Sequence, residues 1–283
     1  MGFVTASAPG KCILFGEHAV VYGHPAVAVA IDQRISLKIQ PSPNNLWLLD
    51  GSSLNMNRNP HIKGLIEKLW PEKDGAPALS IHIKGNIPRA SGLGSSASLS
   101  VAFAAALRMA RGRWVSKTDE IQQQHWLEGF GSSITNSEPY DNSPGFFTTE
   151  SQDDMSHITS KDSVDYDECA ILAHSVEAAA QQGRASPMDS STCSHGGIVI
   201  ISDVVEPSID YLYQRTLAMK DATRQWHIHN MSPPSNSDDV YLVIGNTGVH
   251  APTGKQVAKV ADMLQQDPSR MKEIDTIGQI ARR

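Results

Sequence analysis

The segment from 85 to 107 constrains the fold more than any other stretch, because a glycine-rich turn separates two runs of different periodicity. The preceding residues, 79 to 84, alternate between apolar and polar side chains, which predicts a half-buried strand. Residues 97 to 108 are rich in alanine and leucine, which predicts a buried helix. The sequence therefore predicts a strand–loop–helix unit here.

The loop of this unit has the composition of a phosphate-binding turn. Gly92 and Gly94 let the backbone turn tightly and approach a ligand closely. Ser95 and Ser96 lie where the helix begins, so free N–H groups and the positive end of the helix dipole face the loop. Both features favour phosphate. The alternative is a plain junction with a serine N-cap, and no Walker lysine follows the glycines, which excludes the usual NTPase P-loop.

Composition and charge limit the classes of protein to which this chain could belong. The chain has 283 residues, 40% hydrophobic and 19% charged, which is typical of a globular protein of one large or two ordinary domains. A net charge of −6 with scattered Lys and Arg argues against nucleic-acid binding through a basic face. We also expect no membrane span and no signal peptide, because neither apolar pattern occurs. Three widely spaced cysteines favour a reducing, cytoplasmic location.

Local periodicity predicts the remaining elements. A turn is expected at Pro9-Gly10, a helix C-cap at Gly183, and a long polar insertion at about 116–165, where no apolar period is present. Strands are predicted at 3–8, 27–31, 35–39, 198–201, 226–229 and 240–244, with a hairpin arm at 46–49 before Asp50-Gly51. Helices are predicted at 61–70, 166–182 and 252–265.

Phosphoryl transfer to an alcohol needs a phosphate cradle, cations and a proton acceptor, and this chain can supply each of these groups. Ser96 and Glu177 could offer oxygen ligands to Mg²⁺. Lys11 could place a positive charge near the transferred phosphate, and Asp189, in a polar loop, could accept the proton. The alternatives are a solvated helix face for Glu177, an N-cap role for Asp189 and a solvent-seeking Lys11.

Five segments carry a family resemblance. Residues 6–11 and 16–23, the latter reading Gly-Glu-His-Ala-Val-Val-Tyr-Gly, resemble the first motif of mevalonate kinases in the GHMP small-molecule kinase superfamily. Residues 88–97 are similar to the glycine-rich phosphate loop of that superfamily, and 183–197 resemble its catalytic-aspartate loop. Residues 245–249 resemble a later mevalonate kinase segment.

The resemblance implies an α+β GHMP kinase fold with the active site between two domains. Residues 1–195 would form the N-terminal, ribosomal protein S5 domain 2-like α/β domain that binds ATP. Residues 196–283 would form an incomplete, ferredoxin-like C-terminal domain. The chain ends before the third motif of the family, so we expect a truncated chain.

The resemblance also implies roles for individual residues. Asp189 would be the catalytic base with Lys11 as its electrostatic partner, and Ser96 and Glu177 would hold Mg²⁺. The segment from Glu177 to Gly183 is one residue longer than the usual spacing, and one residue rotates a helical side chain by about 100°.

The implied ligands are ATP and mevalonate. Glu17 and His18 would line the mevalonate pocket. The ATP-binding residues would be Pro88, Ala90, Ser91, Gly92, Leu93, Gly94, Ser95, Ser96 and Ala97. A homodimer is compatible with the resemblance, and neither nucleic acid nor a membrane is expected as a partner. Two alternatives stay open: another GHMP kinase acting on a sugar or phosphomevalonate, and a truncated, non-catalytic binding protein.

Overall fold

The structure, a computed structural model, describes twelve stretches of the chain: 3–70, 76–88, 90–111, 113–115, 121–124, 164–181, 183, 185–218, 223–232, 241–245, 248–249 and 253–282. Its strands are β1 (Val4–Phe15), β2 (Ala26–Pro41), β3 (Leu48–Leu49), β4 (Ser52–Ser53), β5 (Leu79–Gly85), β6 (Arg113–Val115), β7 (Ile121–Gln124), β8 (Ile198–Ser202), β9 (Asp210–Ala218) and β10 (Thr223–Met231). Its α-helices are α1 (Pro60–Leu69), α2 (Ser95–Arg111), α3 (Tyr166–Ala180), α4 (Met188–His195), α5 (Thr253–Gln266) and α6 (Met271–Arg282). Most of the predicted insertion at about 116–165 lies outside these stretches.

One mixed sheet connects most of the strands. Their order is β4-β3-β5-β2-β8-β10-β9, and β1 pairs with β2 along most of its length. The long β2 pairs with β5 through residues 35–41 and with β8 through residues 26–29. Because β8, β9 and β10 follow residue 195, the sheet continues across the predicted domain boundary. The division into domains at 195 stays a prediction.

The predicted turn at Pro9-Gly10 is wrong, because β1 continues through it with only a shift of register. The physical reason is a close approach of another segment: a Cβ added to Gly10 would lie 2.7 Å from the carbonyl oxygen of Leu93. The glycine therefore makes room for the loop before α2. The partner strand β2 is likewise one strand, where the sequence predicts two at 27–31 and 35–39.

Most of the other elements agree with the sequence predictions. The hairpin at Asp50-Gly51 is confirmed, with φ of 48° and 78° at the two turn residues. Gly183 has φ of 83° and donates its N–H to Ala178 O, which closes the end of α3. The strand predicted at 240–244 is wrong, because the described residues 241–245 are exposed to solvent and pair with no described strand. The sequence did not predict strand β9.

Two apolar cores lie on either side of α4. The larger core includes α1, α2 and α3 packed on the sheet, and the alanines of α2 let this helix lie close to β1 and β2. The second core surrounds Trp226, whose indole N–H donates to Val20 O at 2.9 Å. Cys193 of α4 belongs to the first core and Met188 to the second. Helix α4 is therefore packed from both directions. None of the described helices has the length and apolar character needed to cross a membrane.

Candidate active site

A buried ion pair joins two distant parts of the chain. Lys11 Nζ on β1 lies 3.0 Å from Asp189 Oδ1 on α4, and the two side chains are only 4% and 17% exposed. The sequence places Asp189 in a polar loop, but the structure places it in the first turn of α4. The serines after Asp189 are typical of a loop, which is why the sequence predicts one. In the structure the hydroxyls of Ser190 and Ser191 donate to Pro187 O at the start of the helix. Lys11 does not reach solvent, which excludes the solvent-seeking alternative.

The surroundings of Lys11 keep it charged. Burial disfavours the ammonium form, but attraction to Asp189 and Glu17 outweighs burial and leaves the pKa of Lys11 above its ordinary value. A permanent positive charge therefore lies against Asp189. Such a charge is suited to stabilising the negative charge that develops when a hydroxyl loses its proton.

The glycine-rich loop lies directly on this lysine. The N–H of Lys11 donates to Leu93 O at 3.0 Å, which attaches the loop to β1. Gly94 has φ of 74°, and an added Cβ would lie 2.9 Å from Cγ of Lys11. A side chain at this position would displace the lysine. The glycine at 94 therefore brings the predicted phosphate cradle and the ion pair into contact.

The start of α2 is fastened in place but open to ligands. The hydroxyl of Ser98 donates to Ala8 O at 2.6 Å, which ties the first turn of the helix to β1. Ser96 and Gly92 are exposed, whereas Ser95 is half-buried and Ala97 is buried. The first N–H groups of any α-helix lack partners within the helix. An exposed phosphate group could accept hydrogen bonds from them.

Glu177 is a buried carboxyl group with one unsatisfied oxygen. Its Oε1 accepts a hydrogen bond from Gln181 Nε2 at 3.0 Å, but Oε2 is buried without a partner among the described residues. Burial and the negative charge of Asp189 raise the pKa of Glu177 to about 8, although Lys11 and Gln181 oppose the shift. The solvated-face alternative is therefore excluded. The charges of Asp189 and Lys11 both act on the pKa of Glu177, so its carboxyl group lies within electrostatic range of the ion pair.

A divalent cation fits this environment. The unsatisfied Oε2 of Glu177 is the kind of hard oxygen that Mg²⁺ prefers, and a cation would let the carboxyl group ionise. Ser96 presents an exposed hydroxyl at the start of α2. No cluster of three or more His, Cys, Asp and Glu suited to a metal occurs in the described part of the chain. Phosphate oxygens and water would therefore complete the coordination of a bound Mg²⁺.

The segment predicted to bind the acceptor turns sharply beside Lys11. Glu17 is exposed, and its charge contributes to the raised pKa of Lys11. His18 has φ of 64°, which is uncommon for a residue with a side chain. Gly16 permits the turn, since an added Cβ would lie 2.3 Å from Pro25 O. The structure therefore brings the charge of Glu17 within electrostatic range of Lys11, and it holds the following residue, His18, in a strained backbone conformation.

Sequence reasoning missed the residues behind α4. Cys193 lies beneath the loop, since a Cβ added to Gly94 would be 3.5 Å from its Sγ. Tyr213 of β9 contacts Ser191, with 2.8 Å between the two hydroxyl oxygens. His174, which the sequence shows three residues before Glu177, contacts the segment that precedes α4. These contacts join residues 11 to 99 positions apart, so no local pattern could have indicated them.

Comparisons with known proteins find similarity to one kinase family and to mevalonate kinases. Residues 60–142 match the family described as the GHMP kinases N terminal domain. The chain is 28% identical to a mevalonate kinase of Methanothermobacter thermautotrophicus over 281 residues, which cover 98% of this chain and 68% of that protein. It is 45% identical to a mevalonate kinase of Archaeoglobus fulgidus over 104 residues, or 36% of each chain. Several other mevalonate kinases match over only about 44% of their length.

One solved structure extends the likeness to nearly the whole chain. The Lin0012 protein of Listeria innocua superposes with a TM-score of 0.58, covering 99% of this chain and 71% of that one. Sequence identity is 15%, so this likeness concerns the fold alone.

Proposed function

Because the chain belongs to the GHMP kinase superfamily and has its α+β fold, as its motifs predict, we propose that it transfers the γ-phosphate of ATP to an alcohol. We further propose that this alcohol is the 5-hydroxyl of mevalonate. The observation that carries the proposal is the buried Lys11–Asp189 pair beneath Gly94 of the glycine-rich loop. It combines a proton acceptor, a fixed cation and a phosphate cradle in one place.

In the proposed reaction the acceptor oxygen bonds to the γ-phosphorus, the bond from that phosphorus to the β-phosphate oxygen breaks, and ADP leaves. Asp189 takes the hydroxyl proton on a carboxylate oxygen. Lys11 orients Asp189 and stabilises the negative charge on the attacking oxygen. The amide groups at the start of α2, together with the glycine-rich loop, bind the phosphates of ATP.

Magnesium enters this proposal as the partner of Glu177. Glu177 and Ser96 would be its protein ligands, and the unsatisfied Oε2 of Glu177 supports that role. A bound Mg²⁺ would neutralise charge on the β- and γ-phosphates. Without a cation, the buried carboxyl group keeps its proton at neutral pH, because its pKa is raised to about 8.

The choice of mevalonate rests on similarity and on one segment. The relatives above are named mevalonate kinases, and the Gly16–Gly23 segment resembles the first motif of that branch. Glu17 and His18 of this segment would contact the acceptor. A homodimer remains a prediction, which the sedimentation coefficient of the purified chain would test.

The decisive experiment is an ADP-release assay on the purified chain with ATP, Mg²⁺ and a panel of mevalonate, phosphomevalonate and simple sugars. We expect the highest kcat/KM with mevalonate. A higher value for another acceptor would overturn the substrate assignment while leaving the kinase assignment intact. Binding of ATP and mevalonate by calorimetry without any ADP release would instead favour the non-catalytic alternative.

A further inference from the structure

We propose that a hydrogen-bonded network behind α4, formed by His174, Arg215, Tyr213 and Ser191, positions Asp189 for phosphoryl transfer. The functional part of this inference rests on the proposed kinase activity. The four residues are positioning residues, because their contacts are with one another and with the chain on either side of Asp189 rather than with the reacting groups. The network ties the helix that carries Asp189 to strand β9.

The first connection reaches the segment before Asp189. His174 of α3 is fully buried, and its Nε2 lies 3.1 Å from the carbonyl oxygen of Ala185. Ala185 is buried and lies four residues before Asp189. On its other side, His174 Nδ1 accepts a hydrogen bond of 2.9 Å from Nε of Arg215 on β9. His174 therefore links β9 to the chain that enters α4.

These two contacts allow only one form of the imidazole. A carbonyl oxygen can only accept a hydrogen bond and a guanidinium can only donate, so His174 must be neutral with its proton on Nε2. Burial lowers the pKa of His174 to about 4 and Arg215 adds to that effect, although the Ala185 contact opposes it. The edge of the ring also packs against Trp226, with centroids 6.1 Å apart. The donor to Ala185 is thus the same across neutral pH.

The second connection reaches the helix just after Asp189. The hydroxyl oxygens of Tyr213 and Ser191 are 2.8 Å apart, and Ser191 Oγ also lies 2.5 Å from Pro187 O. Because Pro187 O can only accept, Ser191 donates to it and Tyr213 donates to Ser191. Burial raises the pKa of Tyr213, so its hydroxyl keeps this proton.

Together the two connections bracket the catalytic residue. Ala185 lies before Asp189 and Ser191 lies after it, and both are tied to Tyr213 or Arg215, two residues apart on β9. Strand β9 belongs to the same sheet as β1, which carries the partner Lys11. The sheet therefore sets the position of both members of the ion pair. Catalytic groups must be held to within about 0.5 Å, and a misplacement of about 1 Å can cost about 10²-fold in rate.

The polarity of the network argues for positioning rather than simple filling of the core. Burying an imidazole and a phenol hydroxyl costs free energy unless each polar atom is hydrogen-bonded. An apolar residue at 174 or 213 would fill the space without that requirement. Directional contacts fix one geometry, whereas apolar packing tolerates several.

The test uses matched substitutions on the full chain. His174→Leu removes both contacts of the imidazole, whereas His174→Gln retains one donor and one acceptor. Tyr213→Phe removes one hydroxyl, and Tyr211→Phe makes the same change at an exposed position on the same strand. Ser175→Ala is the control on α3, because its hydroxyl bonds within the helix to Leu172 O.

We expect His174→Leu to lower kcat by about 10- to 100-fold with little change in the KM for ATP, the range for a small displacement of a catalytic group. His174→Gln should recover most of the rate, and Tyr213→Phe should lower kcat while Tyr211→Phe and Ser175→Ala leave it unchanged. Loss of rate that follows the melting temperature alone, without rescue by Gln, would overturn the proposal. If His174→Leu does not fold, the Tyr213 and Tyr211 pair decides.

A second measurement separates this inference from the proposed function. Amide hydrogen exchange over 185–195, measured without ligands, should be faster in His174→Leu and Tyr213→Phe than in the wild type, with α2 unchanged. Unchanged exchange over 185–195 would overturn the network even if the chain is an active kinase. If the wild type transfers no phosphate to any acceptor, the proposed function fails while the exchange result still decides whether α4 is held from β9.

Discussion

The β1 side and the α3 side of the candidate site both bury an ionisable group, yet the group on β1 is charged and the group on α3 is mostly neutral at pH 7. Lys11 on β1 is paired with Asp189 at 3.0 Å, and its pKa is raised, so it stays charged. Glu177 on α3 has one oxygen without a partner, and its pKa is raised to about 8, so it is mostly neutral at pH 7. The comparison teaches that Lys11 has its partner within the protein, whereas a bound cation, as proposed above, would be the partner that lets Glu177 ionise at neutral pH.

Among these substitutions, a change at Asp189 should have the largest effect on the rate of the reaction. Asp189→Asn should lower kcat by about 10²- to 10⁴-fold, the range for loss of a general base, because an amide cannot take the hydroxyl proton. ATP affinity, measured by calorimetry, should change little since the phosphate loop is untouched. Turnover near the wild-type value would remove Asp189 from the mechanism.

Removing the positive charge of Lys11 from its pair with Asp189 should destabilise the fold. Lys11→Met keeps the length of the side chain but leaves Asp189 without its cation, which should lower the free energy of unfolding by about 3 kcal/mol. Urea unfolding followed by circular dichroism measures this. The double substitution Lys11→Met/Asp189→Asn should recover part of the loss, because the unpaired charge is gone. A double variant no more stable than Lys11→Met would contradict the pairing argument.

Removing the ionisable group of Glu177 should instead stabilise the metal-free fold. The pKa of Glu177 is about 8 in the folded protein against 4.5 for the free group, so folding takes up a proton between these pH values. Stability from this group is full below about pH 4.5 and is lost as the pH rises towards 8. Glu177→Gln should therefore stabilise the metal-free protein by about 3 kcal/mol at pH 7 and by less at pH 5, as measured by urea unfolding at the two pH values.

The same variant should weaken the response to magnesium. Glu177→Gln should raise the Mg²⁺ concentration for half-maximal activity by about tenfold or more, because an amide is a poorer ligand for a hard cation. Glu67→Gln, at an exposed position of α1, is the control. An unchanged Mg²⁺ dependence in Glu177→Gln would mean that the unsatisfied oxygen serves another purpose.

The smallest expected effect concerns the loop that covers Lys11. Gly92 and Gly94 have φ of 78° and 74°, so alanine is strained at both positions, by about 1 kcal/mol. Only at Gly94 would the new Cβ also lie 2.9 Å from Lys11, since nothing lies within 4 Å at Gly92. Gly94→Ala should therefore be less stable than Gly92→Ala by about 1 kcal/mol. Equal melting temperatures would show that the lysine moves aside freely.

The sequence predicted the strand–loop–helix unit around Gly92 and Gly94 well, because its signals are local. The alternation at 79–84 and the alanine-rich run after Ser96 specify a strand and a helix, and the structure has β5 and α2 there. Gly92 and Gly94 adopt the left-handed conformation that other residues avoid. The polar, serine-rich sequence around Asp189 predicts a loop, yet the Ser191 hydroxyl donates to Pro187 O at the N-cap and the segment is helical.

The sequence by itself determined the order and type of most elements and the glycine-rich loop between β5 and α2, since periodicity and backbone preference act over a few residues. Tertiary structure decided that β1 continues through Pro9-Gly10 with a shift of register instead of turning, because the space at Gly10 is used by Leu93 O, 83 residues away. It also decided that Lys11 meets Asp189 and that Glu177 is buried with an unsatisfied oxygen. Charge, burial and distance arise only when the sheet brings residues far apart in sequence together, and these three quantities set the chemistry of the site.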